Sequence, residues 1–309
     1  MNGLELSRAF YEDCGRPMLE TQFPELLSRL AVGMFGAGSE CLGYDDEISR
    51  DHDFEPGFLI LLPEEDVVDR RSEFLLERAY AKLPKVYGGV ARAALAPVGG
   101  ARHGVVRTRE FFARTVGALD GRLSLHQWLT LPEQALLEAT NGALFFDEWG
   151  EVRRIREALS YFPEDVRRKR LAGALLLMGQ AGQYNHARCL ARGETAAAHL
   201  AAFEFAKSAL SARFLLHRRY RPYYKWCFRA LRELPDGAPF ARSLEDLLTG
   251  AADAARGAEI ERLCAETVSL LRAQGLSDAP GDELERHAYA VNDGIADAAL
   301  RSLHILAAV

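Results

Sequence analysis

The chain has 309 residues, of which 49% are apolar and 27% are charged, and its formal net charge at pH 7 is -6. This composition is typical of a folded globular protein, and the length allows two domains of roughly 100–200 residues each. The acidic balance argues against a dedicated nucleic-acid-binding protein, so we expect no duplex nucleic acid among its partners. The longest apolar runs, "FLILL" and "LAGALLL", are far shorter than the ~20 residues of a membrane-spanning helix, so we expect no membrane association.

The five cysteines are widely spaced, with no CxxC pair and no Cys/His cluster. This spacing predicts reduced thiols rather than disulfides or a structural zinc site. The first residues, "MNGLELSRAFYEDC", lack the basic and apolar regions of a signal peptide. We therefore expect a cytoplasmic protein.

The charges are unevenly distributed along the chain. Residues 1–70 contain 16 acidic residues and 5 arginines, whereas residues 153–234 contain 17 lysines or arginines and 6 acidic residues. Opposed charges of this kind predict an acidic site and a basic site, with an anionic ligand and cations between them.

The first half of the chain alternates predicted helices and strands. Apolar spacing over residues 4–31 predicts two helices, broken at Pro17 and Pro24. The remaining predicted elements are a short buried strand at 31–38, a strand at 51–63 with a bulge or turn at Pro56-Gly57, a helix at 64–83, a strand at 104–108, a helix at 109–119, a helix at 131–140, and a strand and turn at 142–152.

From about residue 153 the pattern changes to long helices, predicted at 164–191, 195–219, 221–234, 242–274 and 282–307. The predicted fold class is therefore α+β, with a mixed sheet and flanking helices followed by a helical bundle. We predict an α/β domain at residues 1–155 and an all-helical, substrate-binding domain at residues 156–309. The last two helices either complete the bundle or form the surface of a homodimer.

Two features lie at the ends of the first two predicted strands. Asp51 and Asp53 are two residues apart, so on a strand both carboxylates point to one face and repel each other unless a cation lies between them. Mg²⁺ is held by one or two carboxylates together with substrate phosphates. Upstream, Gly38 allows the backbone to approach a phosphate closely, and Ser39 offers a hydroxyl and an N–H group.

The chain order is an apolar strand, then Gly38-Ser39, eleven further residues and Asp51-His52-Asp53. This order resembles the nucleotidyltransferase superfamily of DNA polymerase β. Within it, the pattern resembles the branch of kanamycin nucleotidyltransferase. The longer block "GSECLGYDDEISRDHDF", with "LPEQ" and "RYRPYYKW" downstream, is similar to an uncharacterised bacterial family of that branch. The resemblance covers about residues 4–235, and the remainder more loosely.

The resemblance implies a nucleotidyltransferase-type sheet and transfer of a nucleoside monophosphate from a nucleoside triphosphate to a hydroxyl group, with release of pyrophosphate. It implies that Gly38 and Ser39 bind the β- and γ-phosphates. It also implies that Asp51 and Asp53 are the catalytic residues and bind Mg²⁺ or Mn²⁺. The acceptor is a small molecule, a protein or an RNA, and the sequence leaves this open.

Two features depart from the pattern of that superfamily. Many members place a third carboxylate on a later strand, where this chain has "RHGVVRT" without an acid. Asp147 is the first candidate for this third carboxylate and Glu110 is the second. An Asp that opens a turn and a Glu that begins a helix also have ordinary structural explanations.

Aminoglycoside-modifying members also use a glutamate as general base, where this chain has Gln180 and Gln183. We therefore do not expect aminoglycoside modification, and the proton would go to Asp51, Asp53 or water.

In the basic half, Asn185, Arg188 and Arg192 recur at steps of three and four and share one helical face. Either this face is solvated, or Arg192 binds the triphosphate while Asn185 and Arg188 contact the base or the acceptor.

The stretch "LLHRRYRPYYKWCFRALRELP" interleaves aromatic and basic residues. Such a pattern can stack a base and neutralise phosphate. Alternatively, the aromatic rings pack inside the bundle and the charged groups reach outwards to water. The resemblance makes Lys225 a phosphate ligand, and we predict that Tyr220 and Tyr224 contact the base or the acceptor.

The sequence therefore predicts a metal-dependent nucleotidyltransferase that uses a nucleoside triphosphate and an unknown hydroxyl acceptor. The alternative is a catalytically weak nucleotide-binding module with a regulatory or interaction role. Intact Asp51 and Asp53 favour the enzyme, whereas the missing general base and third carboxylate favour the module.

Overall fold

The computed structural model describes residues 1–50, 54–92, 102–250 and 254–308, without the side chains of residues 50 and 254. The chain divides into two compact units. The first comprises Met1–Ser124 and Ala135–Ser160, and the second Leu125–Gln134 and Tyr161–Val309. The fold is α+β, as predicted, with a small mixed sheet and flanking helices followed by a helical region. The division into an α/β domain at residues 1–155 and a helical domain at residues 156–309 stays a prediction.

Six strands occur among the described residues, all in the first unit. They are β1 (Ala31–Met34), β2 (Leu59–Leu62), β3 (Val86–Tyr87), β4 (Val90–Ala91), β5 (Gly104–Arg107) and β6 (Ala143–Asp147). The main sheet has the order β5-β2-β1-β6. Strand β1 is antiparallel to β2 and to β6, and β2 is parallel to β5. The separate hairpin β3-β4 turns at Gly88 and Gly89, both with positive φ, as a tight two-residue turn requires.

The pairing register defines one edge of the sheet, which we call the upper edge. At this edge β1 ends beside the first residues of both its neighbours, since Gly33 pairs with Leu59 and Met34 pairs with Ala143. Strand β5 begins there too, because Gly104 pairs with Leu59. All residues of β1 and β2 are buried, which explains why their sequences are continuously apolar and do not alternate.

The helices of the first half begin with a run that continues from residue 3 to residue 22. A π-helical turn, Tyr11–Gly15, joins the first two helices, so the predicted break at Pro17 is wrong. Pro17 lies in the first turn of the second helix, where a missing N–H costs little. The helices are α1 (Gly3–Phe10), α2 (Arg16–Gln22), α3 (Pro24–Leu27), α4 (Arg70–Lys82), α5 (Thr108–Val116), α6 (Leu125–Thr130), α7 (Glu133–Thr140) and α8 (Glu151–Ala158).

Every regular element among the described residues of the second half is a helix. Its helices are α9 (Glu164–Met178), α10 (Ala187–Ala191), α11 (Thr195–Leu216), α12 (Tyr224–Arg232), α13 (Gly237–Thr249), α14 (Ala254–Ala273), α15 (Leu284–Asp293) and α16 (Ala298–Ser302). A π-helical segment, Gly179–His186, joins α9 to α10, so the predicted helix at 164–191 is confirmed as one helical run. The predicted helices at 242–274 and 282–307 are each two helices, because glycines at positions 250 and 294 follow α13 and α15.

Some of the lysines and arginines of this half make hydrogen bonds inside the second unit. Lys169 is fully buried, and its Nζ donates to Asn292 Oδ1 at 2.8 Å and to the Leu303 carbonyl at 2.6 Å. Arg170 Nη2 donates to the Leu129 carbonyl at 2.9 Å, at the end of α6. Cations at helix C-termini satisfy carbonyls that lack intrahelical partners. The charge count therefore overstates how much basic surface is available to a ligand.

Among the helices of the described ranges, none combines the length and the apolar character needed to cross a membrane.

Candidate functional site

The chain leaves the sheet at the upper edge through two glycines in unusual conformations. Gly36 and Gly38, just beyond β1, have φ angles of +119° and +123°, which side-chain-bearing residues rarely adopt. The Asn141 side chain fixes this exit, since Gly36 N–H donates to Asn141 Oδ1 at 2.9 Å and Asn141 Nδ2 donates to the Gly36 carbonyl at 2.8 Å. The backbone at Gly36, two residues before Gly38, is thus held by contacts that span about a hundred residues of sequence.

The segment after Ser39 turns back immediately. Ser39 precedes a short 3₁₀ turn, Glu40–Leu42, and its carbonyl accepts hydrogen bonds from Leu42 N–H at 3.1 Å and Tyr44 N–H at 2.9 Å. The Cys41 carbonyl accepts from Gly142 N–H at 2.8 Å, directly before β6. Asn141 and Gly142, just before β6, therefore hold the chain on both sides of Gly38-Ser39.

The acids between the two motifs have structural partners. Asp45 Oδ2 accepts from Gly3 N–H at 2.7 Å, at the N-terminus of α1. Asp46 Oδ1 accepts from Ser49 N–H at 2.9 Å and from Ser49 Oγ at 3.0 Å, and so caps the turn Ile48–Arg50. Carboxylates at helix starts are stabilising because they satisfy orphan donors there. The acidic run is thus partly explained by local structure.

Asp51 and Asp53 lie outside the described residues, so their roles stay predictions. Within the ranges that are described, no group of three or more His, Cys, Asp or Glu side chains could hold a metal ion. A pair of carboxylates, as in Asp51 and Asp53, is a donor set that Mg²⁺ accepts.

A cation at this edge was not recognised from the sequence. Arg102 Nη2 donates to the Ala37 carbonyl at 2.8 Å and forms an ion pair with Glu40. The two side chains are 24% and 13% exposed, respectively, so the pair is half-buried. Burial lowers the pKa of Arg102 below its ordinary value. A Cβ built on Gly38 would meet both members of this pair, which places the pair directly over the Gly38 backbone.

His103, the residue after Arg102, is a buried and uncharged histidine. Burial, with the neighbouring Arg102 and Arg92 guanidinium groups, lowers the pKa of His103 to about 3. The imidazole is therefore uncharged at neutral pH. Its ring packs against Gly57, where a Cβ would lie 2.7 Å from His103 Cδ2. Gly57 is thus required by this packing just before β2.

The signal that could have identified Arg102 is topological. The strand "GVVR" begins two residues after Arg102, and a strand parallel to β2 must begin at the edge where β2 begins. The sequence alone did not show that these strands are parallel neighbours, because their pairing spans more than forty residues.

The structure does not bring either third-carboxylate candidate to Gly38. Asp147 pairs with Ala31 at the first residue of β1, on the edge opposite the upper one. Its oxygens accept from Gly150 N–H and Arg153 N–H, both at 2.8 Å, so it opens the turn into α8. Glu110 is exposed in the first turn of α5, which follows the last residue of β5. The ordinary structural explanations of both residues account for their positions.

Gln183 links helices of the second unit. Its Nε2 donates to Glu261 Oε2 at 2.8 Å, and its Oε1 accepts from Leu284 N–H at 2.9 Å. Gln180 is exposed. A glutamine amide does not accept a proton usefully, so the route of the acceptor proton stays a prediction.

The predicted face of Asn185, Arg188 and Arg192 is exposed. The Arg188 guanidinium lies 4.6 Å from the centre of the Tyr184 ring, and Arg192 Nη1 donates to the Arg188 carbonyl at 3.3 Å. Tyr184, which is 57% exposed, was not singled out from the sequence. This face is accessible to a ligand, and its predicted role in binding stays a prediction.

The two predicted aromatic contacts differ in exposure. Tyr220 is 7% exposed, with its ring 5.2 Å from Tyr161 and 5.0 Å from Phe162, and burial raises the pKa of its hydroxyl. Its ring is not available to stack on a base, so the packing explanation applies to it.

Tyr224, in contrast, is 73% exposed. Lys225 is also exposed, with Nζ 5.2 Å from the centre of the Trp226 ring.

Comparisons with known proteins add the following. Residues 128–227 match a family described as a domain of unknown function, DUF4037. No curated protein matches the sequence. The 1.90 Å crystal structure of a nucleotidyltransferase-like protein from Exiguobacterium sibiricum 255-15 is similar to this chain, with 12% sequence identity and a TM-score of 0.37 over 85% of this chain and 76% of that chain. The matched family region includes Asn185 and Lys225 but not Gly38 or Ser39.

Proposed function

We propose that the protein transfers a nucleoside monophosphate from a nucleoside triphosphate to a hydroxyl group. The observation that carries this proposal is the geometry of Gly38-Ser39. This pair leaves a fully buried strand in a conformation that favours glycine, at the edge where the neighbouring strand β2 begins. In the sequence, Asp51 and Asp53 precede Leu59, the first residue of β2, by eight and six positions. The resemblance to the nucleotidyltransferase superfamily supports the same assignment.

In this proposal Gly38 and Ser39 bind the β- and γ-phosphates through their backbone and the Ser39 hydroxyl. Glycine at position 38 permits close approach of a phosphate, and the Asn141 contacts hold the backbone two residues earlier, at Gly36, before the ligand arrives. The acceptor oxygen forms a bond to the α-phosphorus while the bond from that phosphorus to the bridging oxygen breaks. Pyrophosphate leaves with the electron pair, and the hydroxyl proton passes to Asp51, Asp53 or water.

Asp51 and Asp53 would hold Mg²⁺ or Mn²⁺. A divalent cation bound there supplies charge neutralisation for the leaving pyrophosphate and activation of the attacking hydroxyl. The remaining contribution of the chain is to orient the triphosphate and to keep the acceptor oxygen in line with it, which by itself can lower the barrier considerably.

The test is pyrophosphate release by the full chain in the presence of each nucleoside triphosphate, Mg²⁺ and a cell extract as the source of acceptor. We expect release above the rate of the extract alone, with at least one of the triphosphates. If the protein binds a triphosphate but releases no pyrophosphate with any extract fraction, transferase activity is refuted.

Lys225 is proposed as a phosphate ligand of the second unit. The side chain is exposed, so we expect Lys225→Ala to leave the melting temperature unchanged and to weaken triphosphate binding by about tenfold, the loss typical of one charge-assisted hydrogen bond. Isothermal titration calorimetry measures this. Lys207→Ala is the matched control, because Lys207 is exposed in the same unit and pairs with Glu204 at 3.0 Å. If both variants bind the triphosphate with equal affinity, Lys225 is not a phosphate ligand.

One observation favours the alternative, a nucleotide-binding module with weak catalysis. The Glu40 carboxylate lies over the Gly38 backbone, in the place where a phosphate would bind. A module of this kind would bind a triphosphate without releasing pyrophosphate, so the same assay separates the two functions.

A further inference from the structure

The ion pair between Glu40 and Arg102 occupies the space above the Gly38 backbone. The atoms closest to a Cβ built on Gly38 belong to the Arg102 guanidinium and the Glu40 carboxylate. A ligand that approaches the Gly38 backbone from this side therefore meets the ion pair first. Both residues are close in space although they are 62 positions apart in sequence, which shows that the tertiary fold, and not local sequence, assembles the pair.

The two members of the pair respond differently to an arriving phosphate. A phosphate oxygen and the Glu40 carboxylate carry like charge, so they cannot share one position beside Gly38. A guanidinium group, in contrast, binds phosphate as readily as it binds carboxylate and does so through the same donors. Exchange of one anion for another at Arg102 keeps the half-buried cation paired.

The anchoring of Arg102 favours this exchange. Its Nη2 donates to the Ala37 carbonyl at 2.8 Å, next to Gly38 in the chain, and its side chain packs in a site that is only 24% exposed. Glu40, for its part, belongs to a turn of only three residues, Glu40–Leu42. The cation is thus fixed relative to the Gly38 backbone by a hydrogen bond that does not involve Glu40.

We propose that Arg102 is a phosphate-binding residue of this site and that the Glu40 carboxylate occupies the position of a phosphate oxygen until a triphosphate displaces it. The identity of the ligand as a triphosphate rests on the proposed function. In the free protein Glu40 neutralises Arg102, and on binding the phosphate takes over that role. Glu40 therefore lowers the affinity of the site and sets the concentration at which it fills.

The test uses the full chain and inorganic tripolyphosphate without metal, so that it does not depend on Asp51, Asp53 or turnover. Isothermal titration calorimetry is run on the unaltered protein and on Glu40→Gln, Arg102→Lys and Arg102→Met. Glu40→Gln is expected to raise the affinity about fivefold, since it removes a competing charge in a half-buried place. Arg102→Met is expected to lower it roughly 10- to 100-fold, and Arg102→Lys by less, because lysine keeps the charge but loses the planar fork.

Two matched variants control for general effects of charge. Glu64→Gln makes the same chemical change beyond the opposite end of β2, where Glu64 pairs with Arg109 at 3.4 Å. Arg29→Met removes a guanidinium that donates to the Val67 carbonyl at 3.2 Å. Neither is expected to change the tripolyphosphate affinity. Arg102→Lys keeps the proposal testable if Arg102→Met does not fold, as checked by circular dichroism.

The inference is overturned if Glu40→Gln binds tripolyphosphate no more tightly than the unaltered protein, or if folded Arg102 variants bind it equally well. Failure of the proposed function has a different signature, in which the variants shift tripolyphosphate affinity as expected but the protein releases no pyrophosphate from any triphosphate. The opposite result, pyrophosphate release with unchanged affinities in all the variants, would refute only the role of Arg102 and Glu40.

Discussion

Replacing Asp51 or Asp53 with asparagine is expected to slow pyrophosphate release about 1,000-fold, a loss of roughly 4 kcal/mol of transition-state stabilisation. Asparagine has almost the same size as aspartate but lacks the charge that holds a divalent cation. We expect no loss of stability, because removing one of two neighbouring like charges relieves repulsion in the absence of metal. Pyrophosphate release and thermal unfolding are measured on the same preparations.

Asp46→Asn is the matched control for this prediction. It makes the same change five residues before Asp51, in a side chain whose Oδ1 caps a turn through Ser49, and an asparagine oxygen can still accept those bonds. We expect its rate to stay within about twofold of the unaltered protein. If all three asparagine variants release pyrophosphate equally fast, the metal assignment to Asp51 and Asp53 is wrong.

Gly38→Ala is expected to reduce both stability and activity. The φ angle of Gly38 is +123°, so alanine there is strained, and its Cβ would meet Arg102 and Glu40. We expect a loss of about 2–3 kcal/mol in the free energy of unfolding. A backbone shift of the order of 1 Å at a phosphate contact should also cost about 100-fold in the rate of pyrophosphate release. Thermal unfolding and the rate assay check the two effects.

Gly43→Ala provides the comparison for Gly38→Ala. Gly43 also has a positive φ, +69°, but a Cβ there would meet nothing within 4 Å. We expect a cost of about 1–2 kcal/mol from the backbone conformation alone, with the rate of pyrophosphate release unchanged. Equal losses of activity in the two variants would show that the position of Gly38 has no special role in binding phosphate.

The sequence predicted the α+β class and the presence of both central strands because these depend on local signals. The start of the strand predicted at 51–63 is wrong, because the described residues 54–58 are not in a strand and β2 begins at Leu59. The runs at β1 and β2 are continuously apolar and bounded by glycine or proline, which is sufficient to identify buried strands. Helix ends were less accurate. Apolar periodicity continues past Gly250 and Gly294, so two breaks were missed, and the π-helical turn before Pro17 allowed a helix where a break was predicted.

The positions of residues near Gly38 depend on strand register, which the sequence alone did not show. Asp147 was placed on the correct strand, but antiparallel pairing with β1 puts it at the edge away from Gly38. Arg102 was overlooked because its position follows from the parallel pairing of β5 with β2. The sequence did not show that the Tyr220 ring is buried, because a pattern rich in Tyr and Arg fits a packed ring as well as an exposed one.

The most direct test of the central claim compares two labels in one reaction. The full chain is incubated with Mg²⁺, cell extract and a nucleoside triphosphate labelled either at the α- or at the γ-phosphorus. Nucleotidyl transfer predicts that the α-label becomes attached to an acceptor, that the γ-label leaves as pyrophosphate, and that chelation of the metal stops both. Transfer of the γ-label to the acceptor, or attachment of neither label while the triphosphate is bound, would contradict the account.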